Sequence, residues 1–171
     1  DEPLLTTHKL FFLALPSARE RLYIITAYFV PDGAILTALQ TAAMRGVDVR
    51  IILPGKSDHN MTRHASRSCW EALLEAGVRL FELQGPILHA KLLLMDSTHV
   101  IVGSANMDIR SFRFSFEAST VVRGHPFNRS MTRIFLEAQE NSVEISLPQF
   151  RNRPRKERLL EGMARLISPL L

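Results

Sequence analysis

Two runs rich in β-branched residues enclose a segment of helical periodicity, and this alternation is the feature that most constrains the fold. Residues 21–27 (RLYIITA) and 47–53 (VDVRIIL) are predicted strands, and each precedes a loop that contains proline. Between them Asp32 suits an N-cap, Gly46 suits a C-cap, and the apolar residues repeat on one helical face. Strand, helix and strand in this order predict a parallel crossover.

The remaining pattern predicts a sheet covered by helices. Pro16 interrupts the first helical pattern, so we expect a break or kink there. Three short strands follow residue 86 too closely for crossover helices, so this part of the sheet is predicted to be antiparallel. The sequence thus predicts one α/β domain over residues 1–171, a mixed sheet flanked by helices on both faces. The further predicted elements are helix 61–76, strands 78–83, 87–95, 100–103 and 115–123, and helices 126–141 and 154–166.

Composition excludes several classes of protein. Hydrophobic residues make up 46% of the chain, which is enough to bury a sizeable core. Cys69 is the only cysteine, so neither a disulfide framework nor a cysteine-rich zinc site is expected. The longest uncharged stretches, residues 22–31 and 33–44, are shorter than the roughly 20 apolar residues of a membrane-spanning helix. The chain begins at Asp1 without an initiator Met or signal peptide, and we expect it to be an excised part of a longer protein.

The candidate chemistry lies in residues 88–117. Side chains two apart on a strand share a face, so His89 and Lys91 are predicted to project together, about 7 Å apart, toward one small anion. They are predicted to lie side by side at the centre of the sheet. An imidazole and an ammonium group in this arrangement are suited to a phosphate ester.

Further polar residues follow the next predicted strand. Gly103 lacks a side chain and so allows the backbone to approach a ligand, and Ser104 and Asn106 supply hydrogen-bond donors. The carboxylate of Glu117 could hold an imidazole in one tautomer. The set contains a nucleophile or acid, a cation, neutral donors and an orienting carboxylate, as phosphoryl transfer without a metal requires.

These residues match a known motif, HxKxxxxD followed by GSxxN-type residues. Because of this motif the chain resembles the phospholipase D superfamily. The segments YFVPD at 28–32, PGKSDH at 54–59 and GSANMDIRSFRFSFE at 103–117 resemble the C-terminal repeat of a bacterial cardiolipin synthase. The resemblance covers essentially the whole chain. The motif positions here are His89, Lys91, Asp96, Gly103, Ser104 and Asn106.

The resemblance implies a mechanism with one histidine from each of two repeats. One histidine attacks phosphorus to form a phosphohistidine, and the other protonates the leaving alcohol. His89 is then one of this pair, Lys91 and Asn106 bind phosphate oxygens with Ser104 beside them, and Glu117 orients His89. Which role His89 takes stays open. No metal or other cofactor is implied.

The resemblance also implies substrates, partners and a location. The expected reaction is cardiolipin synthesis from two phosphatidylglycerol molecules with release of glycerol. The second motif would come from the same gene product or from a second copy of the chain. The expected location is the cytoplasmic side of a bacterial inner membrane. The protein would associate with the membrane through segments outside this chain.

Asp96 has a different expected role from the other motif residues. It lies seven residues after His89, and an odd separation turns it away from the site in an unbroken strand. We therefore interpret Asp96 as structural support, paired with an arginine such as Arg113.

Weaker signals have ordinary explanations beside the functional ones. Tyr28 and His59 are candidates for the substrate pocket, although Tyr28 would more often pack in a core or loop. His59 and His64 have too few neighbouring ligands in sequence for a metal site. The PGKS segment is not a nucleotide loop, because the first glycine of that motif would fall at Arg50.

The basic tail and the single motif leave alternatives. A basic amphipathic helix over 154–166 could lie on an anionic bilayer or could simply pack on the domain with solvated arginines. A pI near 9.7 and one motif copy also suit a metal-independent phosphodiesterase or nuclease that is active as a homodimer, although nucleic acid is the less favoured partner. A catalytically silent domain is disfavoured, because every motif residue is present.

Overall fold

The computed structural model describes residues 6–57, 59–85 and 88–167. The strands are β1 (Arg21–Ile25), β2 (Phe29–Val30), β3 (Asp48–Pro54), β4 (Arg79–Leu83), β5 (Leu92–Met95), β6 (His99–Gly103), β7 (Met107–Asp108), β8 (Ser119–Arg123) and β9 (Ser142–Ile145). The helices are α1 (Thr6–Ser17), α2 (Gly33–Met44), α3 (Asn60–Arg67), α4 (Trp70–Glu75), α5 (Ile109–Arg113), α6 (His125–Glu140), α7 (Leu147–Arg151) and α8 (Arg155–Ile167). Ile87 and Asp58, which fall within predicted segments, lie outside the described residues.

Seven strands form one mixed sheet in the order β8-β6-β5-β1-β3-β4-β9. β1, β3 and β4 are parallel, because α2, and then α3 with α4, carry the chain back between them. β5, β6 and β8 pair antiparallel, as their short connections predict. β2 and β7 form a separate parallel pair. The predicted mixed sheet is confirmed.

Helices cover both faces of the sheet, as predicted. Alternate residues of β1 point to opposite faces, so Leu22 and Ile24 join one core while Tyr23 and Ile25 join the other. Buried residues of α1, α2 and α4 complete the first core. α6 covers the second face through Phe135, whose ring stacks on Tyr23 with centroids 4.6 Å apart.

Two predicted helices differ in detail. The helix predicted over 61–76 is divided into α3 and α4. At the division the Ser68 hydroxyl donates to the Ala65 carbonyl at 2.6 Å, and side chains that bond to helical carbonyls in this way favour a bend. The break expected at Pro16 occurs one residue later, where α1 ends.

The C-terminal helix α8 packs on α3, so the docked interpretation of the basic tail is confirmed for one face of the helix. Arg67 of α3 pairs with Glu157 and Glu161 of α8 at 3.1 and 3.0 Å. Arg153 pairs with Glu161 at 2.8 Å. Of the helices in the described ranges, none combines the length and apolar character needed to cross a membrane.

Candidate functional site

His89 and Lys91 lie in the segment that leads into β5, not within the strand. The prediction that a strand at the centre of the sheet carries them is therefore wrong. β5 begins at Leu92, which pairs with Ile25 at the end of β1, so residues before Leu92 have no partner in β1. The two residues are nevertheless held together, because Lys91 Nζ donates to the main-chain carbonyl of His89 at 3.0 Å.

The ammonium group of Lys91 is partly buried, and this burial lowers its pKa. The carboxylates of Glu117 and Asp108 oppose the shift by attraction. Glu117 and Asp108 thus lie close enough to Lys91 to influence its charge. The site therefore combines the Lys91 ammonium group with these two carboxyl groups.

Tyr28 brings the two site histidines together. Its ring is 6.4 Å from the His89 ring in an edge-on arrangement and 5.8 Å from the His59 ring. Tyr28 precedes β2, and His59 is the N-cap residue of α3. Tyr28 therefore lies beside the motif histidine, and His59 lies beside Tyr28.

Asn106 joins two loops beneath this group. It is 9% exposed, its Oδ1 accepts a hydrogen bond from the Tyr28 main-chain N–H at 3.3 Å, and its own N–H donates to Ser111 Oγ at 3.1 Å. These bonds use the acceptor of the side-chain amide, and within the described ranges its NH₂ group makes no hydrogen bond and is able to donate. Asn106 is thus suited to bind a phosphate oxygen.

Ser104 links the end of β6 to the segment before β8. Its main-chain N–H donates to the Ala118 carbonyl at 3.0 Å, and its Oγ accepts from the Ala118 N–H at 3.0 Å. The hydroxyl of Ser104 donates to Glu117 Oε2. Because the hydrogen-bond partner of Glu117 in the described part of the chain is Ser104, its orienting role toward His89 stays a prediction.

Gly103 permits a close approach of neighbouring backbone. A Cβ added at this position would lie 2.1 Å from the Ala118 carbonyl oxygen and 2.8 Å from the Ser119 Cα. The glycine is therefore required where β6 pairs with the beginning of β8. Contact of Gly103 with substrate stays a prediction.

Asp96 stabilises the chain away from these residues. Its Oδ1 accepts from the main-chain N–H groups of Arg19, Glu20 and Arg21 at 3.1, 2.8 and 3.2 Å. Burial alone would raise the pKa of this carboxyl, but the three amide donors hold it below its ordinary value. The expected pairing with Arg113 is wrong, because the start of β1 provides the donors for Asp96 through its backbone.

Asp108 is a site residue that the sequence prediction missed. It is 7% exposed and lines a cavity of about 430 Å³ together with Tyr28, His59, Asn106 and Glu117. Its Oδ1 accepts from the Ser111 N–H at 2.6 Å, which caps α5, and burial raises its pKa. The segment DIRS at 108–111 begins with a residue type that favours the N-cap position, so the sequence could have identified the capping role of Asp108.

The described residues contain no group of three or more His, Cys, Asp or Glu side chains placed to hold a metal ion. The polar groups that the structure brings together are instead Lys91, Asn106 and the ring residues His89, Tyr28 and His59. Tyr28, His59 and Asn106 line the cavity, and His89 lies next to it through its contact with the Tyr28 ring. This arrangement is suited to binding an anion beside a histidine.

Comparison with known proteins places the fold and the family. Residues 12–159 match the family described as cardiolipin synthase, PLD-like domain. A curated relative, cardiolipin synthase 2 of Bacillus anthracis, is 40% identical over 166 residues, which are 97% of this chain and 32% of that protein. The chain thus spans about a third of the length of the curated relatives that it matches.

Two solved structures share the fold. NUC, a phospholipase D family member from Salmonella typhimurium, aligns with a TM-score of 0.76 at 21% identity, over 84% of this chain and 93% of that one. Phosphatidylserine synthase of Haemophilus influenzae aligns with a TM-score of 0.75 at 14% identity, over 96% of this chain and 44% of that one. These likenesses confirm the predicted phospholipase D-like fold. The chain belongs to the family of cardiolipin synthase, phospholipase D-like domains.

Proposed function

We propose that this chain supplies one half of an active site for phosphatidyl transfer, which makes cardiolipin from two phosphatidylglycerol molecules. The observation that carries the proposal is the grouping of His89 with Lys91, Tyr28 and the buried amide of Asn106. The 40% identity with proteins named cardiolipin synthase supports the choice of substrate.

The reaction takes two displacements at phosphorus. In the first, an imidazole nitrogen attacks the phosphorus of one phosphatidylglycerol, the bond to glycerol breaks, and a second histidine protonates the departing glycerol oxygen. In the second, a hydroxyl of another phosphatidylglycerol attacks the phosphohistidine, its proton returns to the second histidine, and the P–N bond breaks. His89 takes one of these two roles.

The neighbours of His89 have separate roles in this scheme. Lys91 neutralises the charge that develops on the phosphoryl oxygens, and the NH₂ group of Asn106 donates to one of them. Ser104 fixes Glu117 through its hydroxyl, and Glu117 is proposed to orient His89 once substrate is bound. Tyr28 and His59 form the adjacent pocket wall for the lipid headgroup.

The scheme needs a second histidine beside its own lysine and asparagine. This sequence has one HxK segment, at residues 89–91. The partner is therefore a second HxK repeat in the same gene product or a second copy of this chain. Since the chain spans about a third of its relatives' length, the same gene product is the favoured source.

A second candidate function is a metal-independent phosphodiesterase that is active as a homodimer, acting on lipid or on nucleic acid. The observation that favours it is the likeness to NUC, because the structural alignment with this chain covers 93% of the NUC chain. In this case the two histidines would come from His89 of each copy across a twofold axis.

The test is product analysis with the second half supplied. The protein is incubated with phosphatidylglycerol vesicles and, separately, with single-stranded DNA in the presence of a metal chelator. We expect cardiolipin and glycerol from the vesicles and no DNA cleavage. The matched control is His89→Asn, which keeps a polar side chain of similar size and should form no product. DNA cleavage without a lipid product would refute the leading proposal.

Sedimentation decides between the two sources of the second histidine. If a second repeat is required, this chain alone should be inactive, and activity should appear when that repeat is added. If a homodimer is the active form, activity should follow the dimer fraction as protein concentration rises. A fully active monomer would contradict both schemes.

A further inference from the structure

The side of α8 that faces away from the domain is an exposed apolar stripe. Leu159, Met163 and Leu166 follow one another at helical spacing and are 66%, 57% and 83% exposed. Leu160 and Ile167 extend the stripe at 37% and 40%. We call this stripe the outer face of α8. An exposed apolar stripe of this kind normally marks a surface that binds a protein, a membrane or a ligand.

The charges of α8 are sorted between its two sides. The acidic residues Glu157 and Glu161 turn toward the domain, where Arg67 and Arg153 neutralise them. Arg155, Lys156 and Arg158 are exposed at the N-terminal end of the helix, next to the outer face. The surface that α8 presents outward is therefore apolar and cationic, while Glu161 is buried and the partly exposed Glu157 is paired with Arg67.

We propose that the outer face of α8 is a docking surface for an anionic phospholipid bilayer. A helix with an apolar face and adjacent cations lies in the plane of a membrane interface, where the apolar side chains enter the headgroup boundary and the cations contact lipid phosphates. The charge distribution favours a bilayer over a protein partner, because Arg155, Lys156 and Arg158 form no ion pair within the described residues and match a surface dense in negative charge.

The position of α8 connects this surface to the candidate site. Val30, Ala65 and Ala164 form one buried cluster that joins β2, α3 and α8. Val30 also lines the site cavity, and α3 contributes Thr62 to its wall. Docking of α8 would therefore hold the site at the membrane surface. The choice of a bilayer rests on the proposed function, since phosphatidylglycerol resides there.

The test measures cosedimentation of the protein with vesicles, without turnover. Vesicles of phosphatidylcholine alone are compared with vesicles that contain phosphatidylglycerol. We expect tighter binding to the anionic vesicles and weakening by salt. The triple variant Arg155→Gln/Lys156→Gln/Arg158→Gln should weaken binding on the order of a hundredfold, from roughly fivefold per cation. The triple variant Leu159→Ser/Met163→Ser/Leu166→Ser should weaken it about tenfold or more.

A matched control removes the same charge elsewhere. The variant Arg123→Gln/Arg129→Gln/Arg133→Gln lowers the net charge equally from exposed positions on β8 and α6, and it should bind vesicles almost as the unaltered protein does. Circular dichroism verifies that each variant is folded. The proposal would be overturned if the control and α8 variants lost equal binding, or if the protein did not bind vesicles. It would also be overturned by binding to single-stranded DNA that depends on the α8 cations but not on the apolar stripe. A failure here with intact cardiolipin production would leave the proposed reaction standing.

Discussion

Replacement of Asp96 is expected to destabilise the fold without altering the chemistry. The carboxylate accepts hydrogen bonds from three consecutive main-chain N–H groups, of Arg19, Glu20 and Arg21. The residue also has a φ of 51°, a left-handed conformation that Asp and Asn tolerate and that strains Ala. Asp96→Ala removes the acceptor and adds backbone strain, whereas Asp96→Asn keeps one oxygen acceptor and the tolerated backbone.

The geometry sets the size of the effect. Each hydrogen bond at this partly exposed position contributes about 1 kcal/mol, so the three together contribute about 3 kcal/mol. The left-handed backbone adds about 1 kcal/mol for Ala. Asp96→Ala should therefore cost about 4 kcal/mol and lower Tm by roughly 8–16 °C in a chain of this size. Asp96→Asn should cost about 1–2 kcal/mol.

The acid dependence gives a second readout. Because the folded-state pKa of Asp96 lies below its ordinary value, its contribution is complete above the unfolded-state pKa and is lost as pH falls through the folded-state pKa. The difference in stability between the unaltered protein and Asp96→Asn should therefore shrink below about pH 4. Thermal unfolding followed by circular dichroism measures both effects. An unchanged Tm for Asp96→Ala together with lost turnover would show that Asp96 takes part in the reaction.

Three further predictions concern the site and the core. Lys91→Met should reduce kcat in the reconstituted assay about 10²–10³-fold with little change in Tm, and Lys91→Arg should recover part of the loss, because the charge acts on the phosphoryl oxygens. Gly103→Ala should lower the free energy of unfolding in urea by about 2 kcal/mol or more, because its Cβ would meet the Ala118 carbonyl at 2.1 Å. The Cys69 thiol, whose pKa burial raises to about 12, should resist iodoacetamide at pH 8 and react in denaturant, as measured by mass spectrometry.

The parts of the fold that the sequence predicts well are those with strong local periodicity. The apolar positions, the helix cap and the turns of β1, α2 and β3 all lie within about thirty consecutive residues. The local sequence pattern is therefore sufficient to predict these three elements. The start of β5 could not be predicted in this way. Alternation continues upstream of Leu92, but β1, the neighbouring strand, ends at Ile25, and a strand without a partner does not persist. β9 is a four-residue edge strand whose position depends on β4.

Some features of the candidate site could likewise be predicted from the sequence, and others could not. The sequence predicts the residue types, because His89, Lys91 and Asn106 belong to an extended motif. It does not predict that Glu117 pairs with Ser104, because the loop between α5 and β8 determines that contact. It does not predict that Asp108 lines the cavity either, because the pairing of β7 with β2 places Asp108 there. The sequence allows Tyr28 either a packing role or a place in the substrate pocket, and its contacts with two histidine rings depend on how the segment after β1 meets α3.

Except for Gly103 in β6, the candidate site residues lie outside the strand ladders of the main sheet. The loops are joined by the bond from the Tyr28 N–H to Asn106, by those of Ser104 with Glu117 and Ala118, and by the short β2–β7 pair. Each hydrogen bond contributes about 1 kcal/mol, far less than the buried core beneath them. A partner that covers the cavity would supply a second histidine and would also restrict these loops, so activity on reconstitution should rise together with hydrogen-exchange protection of residues 104–118.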